Sequence, residues 1–152
     1  MEPMPYFPGA VRRWLSEQPE FKEALRGGRV TTRDLPDPLV KPHVTVQTVD
    51  NGGQDPMHRR MLLQVTPWVP GRDVTGFDED PDVTAWRLAV TAGELLGRAR
   101  NQIIDDATAW SASWIEGPVQ LYDNERGPDR TIFYAPIRVA VVLRHRSRIV
   151  NN

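Results

Sequence analysis

The side chains best able to do chemistry in this chain are an acid run, three histidines and an arginine-rich end. Asp78, Glu79, Asp80 and Asp82, with Pro81 among them, crowd carboxylates densely enough to suggest a calcium loop. The required spacing is missing, with no glycine at the turn position and no closing glutamate. The same acids precede an apolar helical pattern, where negative charge favours the positive end of a helix, so capping and solvation are the better reading. His43, His58 and His145 fall on a strand start, a loop and the last strand, and no pair has the helical spacing of metal ligands. On a strand Arg144, Arg146 and Arg148 share one face opposite Leu143, His145 and Ser147, a pattern that could touch phosphates and that a solvated strand end also explains.

Nucleophile signatures are missing. The chain has no cysteine, which excludes disulfides, thiolate nucleophiles and cysteine-based zinc sites. No serine sits in a G-x-S-x-G elbow, and the glycines form neither a dinucleotide-binding fingerprint nor a phosphate loop. The expectation is a protein that is not an enzyme, with no catalytic residue, cofactor or metal. A formal charge of −1 over 152 residues gives no global field for nucleic acid or membrane. Of the 19 basic residues only Lys22 and Lys41 are lysine, a bias that a GC-rich coding genome explains at least as well as a demand for guanidinium. No apolar run approaches the roughly 18 residues of a membrane span. The start, Met1 to Pro5, lacks the charged and apolar regions of a signal peptide, so a soluble protein is expected.

The elements that must position these groups are sharply punctuated. Hydrophobic content is 39%, and 14 prolines with 11 glycines imply long loops or surfaces completed by a partner. Residues 1–8 hold three prolines and read as an extended arm. A helix interrupted at Pro19 is expected as two pieces, 10–17 and 19–26, with Gly27 and Gly28 as the left-handed cap. Strands follow at 29–33 and 43–49, the second alternating Val44, Val46 and Thr48 against Thr45, Gln47 and Val49. A third strand, 61–69, carries Pro67, which points to an edge or a bulge. The clearest helix, 83–104, bears an apolar stripe of Ala85, Leu88, Ala89, Ala92, Leu95, Leu96, Ala99 and Ile103. Strand 108–122 sets Trp110, Ala112 and Trp114 against Ser111 and Ser113, and strand 130–146 returns after a bend at 123–129. Ile132 and Tyr134 have the opposite parity to Ile137, Val139, Val141 and Leu143, which predicts a bulge at Ala135 and Pro136. The order α-β-β-β-α-β-β gives an α+β domain over 9–146, with a mostly antiparallel four- to five-stranded sheet, helices on one face and a tail at 147–152.

These residues resemble a phage family. The helix with Val11, Arg12, Arg13, Trp14 and Leu15, the Gly27-Gly28-Arg29-Val30 junction, Leu35-Pro36 and a strand ending at Gly52-Gly53 look like the N-terminal half of the tail terminator proteins of long-tailed, non-contractile-tailed bacteriophages. The later long helix, the strand ending at Gly117-Pro118 and the final strand are similar to its second half. The likeness covers 8–146 and departs from the family in the longer 70–82 loop and the proline-rich start. It implies a virion structural protein, assembled in the host cytoplasm and located at the head–tail junction. There it would form a homo-oligomeric, hexameric ring that caps the head-proximal end of the tail tube and stops its polymerisation. Implied partners are the major tail tube protein and the head-side connector or stopper protein, with genomic DNA passing through without sequence-specific binding and no membrane involved.

Under this reading the candidate partner contacts are Asp50, Asn51, Gln54, His58 and Arg59 in the 50–60 loop, and Arg72, Asp73, Asp78 and Asp80 in the 70–82 loop. Asp123, Asn124 and Arg126 at the bend, and Arg144 and Arg146 at the strand end, join them. Gly93 and Gly97, beside Trp86 and Val90, are a candidate subunit seam, with packing inside the domain as the simpler account. The rival readings are another neck component (a head-completion or stopper protein) and a small nucleic-acid-binding module using the arginine strand end.

Overall fold

The computed structural model describes residues 5–52, 60–105, 108–125, 127 and 130–145, with the backbone alone for 50–52 and 145. Phe7, Val11 and Leu15, four residues apart, bury one face of helix α1 (Phe7–Glu17). Pro8 suits its first turn, which needs no amide, so the helix takes two residues of the expected arm. Pro19 ends it by forcing Gln18 into extended backbone, and the Gln18 carbonyl then accepts the Phe21 and Lys22 amides that open α2 (Pro19–Leu25). The left-handed stop falls on Arg26 and Gly27, not on the glycine pair. Gly28 serves a different purpose: its backbone lies flush on the Pro42 carbonyl, leaving no room for a side chain.

The strands are β1 (Arg29–Thr31), β2 (His43–Gly52), β3 (Arg60–Pro70), β4 (Gln102–Ile103), β5 (Thr108–Glu116), β6 (Leu121–Asp123), β7 (Ile132–Tyr134) and β8 (Ile137–His145). Helices α3 (Arg72–Thr75) and α4 (Pro81–Gly97) intervene after β3. The class is α+β, but the sheet is a curled, mixed one of eight strands rather than four or five. Its path is β1-β2-β3-β8-β5-β4, with β7 on β3 and β6 on β7. β1 runs parallel to β2, and the remaining pairs are antiparallel.

β3 is the central strand, so Pro67 lies on neither an edge nor a bulge. It sits where the second neighbour of β3 changes from β8 to β7, and its carbonyl accepts the Ala135 amide at 3.3 Å. Carbonyl and amide of one residue point to the same side of a strand, so the amide that proline lacks faces this break. The predicted bulge at Ala135 and Pro136 is also absent. Val65 pairs Ile137 and Trp68 pairs Tyr134, with two residues between on each strand, so the register runs straight through. Ile132 and Tyr134 keep their opposite parity because they face the outer side of the sheet. There Tyr134 stacks on Trp68 at 4.4 Å between ring centroids, and Trp68 Nε1 donates to Thr45 Oγ1 at 3.0 Å. The register shifts fall instead between Thr48 and Asp50 and between Trp114 and Glu116.

On the inner face Val44, Val46, Met61, Leu63, Val65, Ile137, Val139, Val141 and Trp110 join α1, α2 and α4 in one buried cluster. Trp14 and Trp110 meet in a T-shaped arrangement with ring centroids 5.6 Å apart, which ties β5 to α1. α4 stops at Gly97, short of the expected end, and Asn101 takes a positive φ of 50 where the chain turns into β4. Ile103, counted in the helical stripe, is consequently exposed on that strand. β5 stops at Glu116, and Gly117-Pro118 separates it from β6.

Gly93 is spent inside the domain. A Cβ there would lie 2.6 Å from the Trp114 ring, whereas one at Gly97 would meet Trp114 in ordinary contact at 3.8 Å. These glycines seat α4 on β5, and packing inside the domain is the simpler account of them. Gly93→Ala is therefore expected to destabilise by about 1–3 kcal/mol through overpacking. Gly97→Ala is expected to be neutral or stabilising by up to about 1 kcal/mol from helix propensity. Urea denaturation of both variants checks the contrast.

Candidate docking surfaces

The acid run is used structurally. Arg72 reaches Asp80 Oδ1 at 3.3 Å and donates from Nε to the Phe77 carbonyl. Glu79 pairs with Arg87, the seventh residue of α4, and accepts the Thr84 hydroxyl at 2.7 Å. Asp82 accepts the Val83 amide at 2.9 Å. Asp80 holds the N-cap position, where its carbonyl accepts the Thr84 amide, but its side chain makes no capping bond. The loop is thus a folded strap over the start of α4, while Asp73 and Asp78 remain exposed. Arg26 completes it by laying its guanidinium over the Phe77 ring at 3.9 Å.

The other expected contacts scatter. Asp50 and Asn51 extend β2, opposite Leu62 and Met61. Gln54, His58, Arg59, Arg126 and Arg146 lie outside the described residues, as does most of the 50–60 loop. Asp123 Oδ1 accepts the Glu125 amide at 2.9 Å and the Asn124 carbonyl accepts from Gly127, so this end of the bend is a pre-formed turn. Arg144 is exposed on β8 opposite Ala109. The described residues of these segments are not brought into one site. Among the described residues no three His, Cys, Asp or Glu side chains gather to hold a metal, and no helix is long and apolar enough to cross a membrane.

What the fold does assemble is two apolar surfaces. A cleft of about 480 Å³ lies between α1 and β4, floored by Trp14 and Trp110 and flanked by Tyr6, Arg12, Arg13 and Ile103. Tyr6 and Ile103 are 61% and 63% exposed, and among the described residues β4 pairs with β5 alone, which leaves its outer backbone edge without a strand partner there. The second surface is the β6 tip, where Val119, Leu121 and Tyr122 are exposed, Tyr122 by 66%. Among the described residues β6 pairs with β7 alone. β5 carries β4 at Ala109 and Trp110, while β6 lies beyond its far end, so the surfaces occupy opposite ends of the long bent hairpin. Residues 110–121 span up to roughly 35 Å of extended chain. Sequence periodicity missed the cleft because it assigned Ile103 to a helix. The Arg12-Arg13-Trp14 triplet was its visible trace.

His43 is the one titratable group with a resolved shift among the described residues. Burial lowers its pKa, the Arg29 charge lowers it further, and the ring shares a 2.8 Å hydrogen bond with Thr31 Oγ1. The unfolded chain, with a histidine pKa near ~6.5, therefore binds the proton more readily than the folded one. The stabilising contribution is complete above about pH 6.5 and is lost as the pH falls through the depressed folded value. Urea midpoints from alkaline to mildly acidic pH are expected to show this loss, and His43→Asn to flatten it.

No protein-family model matches this chain, and no curated protein matches it.

Proposed function

We propose that this chain is a non-enzymatic virion protein, the terminator that closes a ring on the head-proximal end of a phage tail tube. The observation that carries the reading is the placement of two unlike apolar surfaces at opposite ends of one bent hairpin. A head-to-tail ring needs two different contact patches on each copy, and such a ring closes instead of growing. The order of short helix, double-glycine junction, long strands, long helix and closing hairpin supports the same reading through its likeness to the family. The strap over α4 and the turn after β6 are fixed loops suited to docking, and their polar groups already hold the loops in shape.

Adding the protein separately to purified tail tubes and to purified heads tests the assignment. A terminator yields one ring at one end of each tube by negative-stain imaging and blocks further growth when tube protein is supplied. Tubes that stay bare and keep growing sink it, and binding to heads alone reassigns the protein to head completion.

A further inference from the structure

Charge distinguishes the two surfaces as clearly as position does. Arg12 and Arg13 flank the α1–β4 cleft, and neither guanidinium has an ion-pair or hydrogen-bond partner among the described residues. Glu17 is the one carboxylate among the described residues that line the same cleft, so their charges sum to a positive value. At the β6 tip Asp123 and Glu125 stand beside Leu121 and Tyr122, and they outnumber the exposed Arg130 that closes the bend among the described residues. We infer that the β6 tip of one copy docks into the α1–β4 cleft of the next, with Tyr122 as the apolar anchor and Asp123 and Glu125 against Arg12 and Arg13. This deepens the ring reading and rests on it.

The occupant is a second copy of this chain because tip and cleft match in three independent respects. Both carry an unpaired strand edge, β6 on one side and β4 on the other, and such edges join by backbone hydrogen bonds. Both expose aromatic surface, with Tyr122 on the tip and Tyr6 at the mouth of a cleft floored by two tryptophans. Their charges are opposite, which sets register and excludes tip-to-tip and cleft-to-cleft pairing. Because the two lie at opposite ends of the hairpin, every docked copy leaves one free tip and one free cleft, and the chain of contacts ends only by closing on itself.

Charge reversal decides the matter. R12E/R13E in the cleft and D123R/E125R at the tip are expected each to weaken self-association about tenfold or more in sedimentation velocity, and the four changes together to restore most of it. The absence of native cysteine supplies a second readout. A variant carrying both Ile103→Cys and Tyr122→Cys is expected to oxidise into covalent multimers longer than dimers, while each single variant stops at the dimer. Reversals without effect, a quadruple variant no better than its parents, or a double-cysteine variant that stops at dimers would overturn the contact. Tube capping, scored on the same variants, separates the two proposals. Capping that survives every reversal leaves a terminator with a different seam, and salt-bridged multimers that never cap tubes leave the seam without the terminator.

Discussion

A central strand must satisfy its backbone groups on both sides, and β3 is where this chain meets that demand. One side is filled by β2 along almost its whole length. The other is filled by β8 as far as Val65 and by β7 from Trp68 onward. The change of partner falls at Pro67, whose missing amide would have faced the gap, so the break leaves no donor stranded. Pro136 sits on the opposing strand at the same level. Since the Ala135 amide points toward β3, the amide that Pro136 lacks points away from it, so Pro136 takes no hydrogen bond from the central strand.

The helical layer depends on this arrangement because α4 packs on β3, β5, β7 and β8 together. Its fit against β5 relies on the bare backbone of Gly93 beneath the Trp114 indole. Trp110, on the same face of β5, meets Trp14 of α1. The two tryptophans that alternate along one strand thus hold two different helices. On the outer face the strands are joined by polar and aromatic pairs: Thr31 with His43, Thr45 with Trp68, and Trp68 with Tyr134. Both faces of the middle of the sheet are therefore specified, which pins register more firmly than one buried face alone.

Much of the scaffold was legible in the residues. Pro19 announced the split helix, the Val44–Val46 alternation announced β2, and the run from Ile137 to Leu143 announced β8, since local sterics and burial periodicity govern all three. The strands that escaped are short. β4 has two residues, too few to show a period, and its Ile103 fitted the preceding helical stripe by chance of spacing. β1 was visible as a strand, but nothing local indicates parallel pairing, which depends on where the 32–42 connection lands. Opposite parity at Ile132 and Tyr134 suggested an extra residue because the outer face was taken to be solvated. Trp68 and the buried Leu39 show that it is partly covered. The α1–β4 cleft was least legible of all, since it gathers residues from elements far apart in sequence.

The bend of the outer hairpin turns on Gly117. A Cβ at this residue would stand 2.5 Å from the Pro136 carbonyl oxygen and 2.9 Å from the Ile137 Cα. Its φ of 89 is also one that other residues rarely adopt. Gly117 and Pro136 are the facing inner sides of an elbow, closed as far as two backbones can approach. Any larger residue at 117 would pry that elbow open and swing Tyr122 through an arc, shifting the reach of the arm while the core stayed intact. How far the β6 tip reaches from the core is thus set by the absence of a single carbon atom.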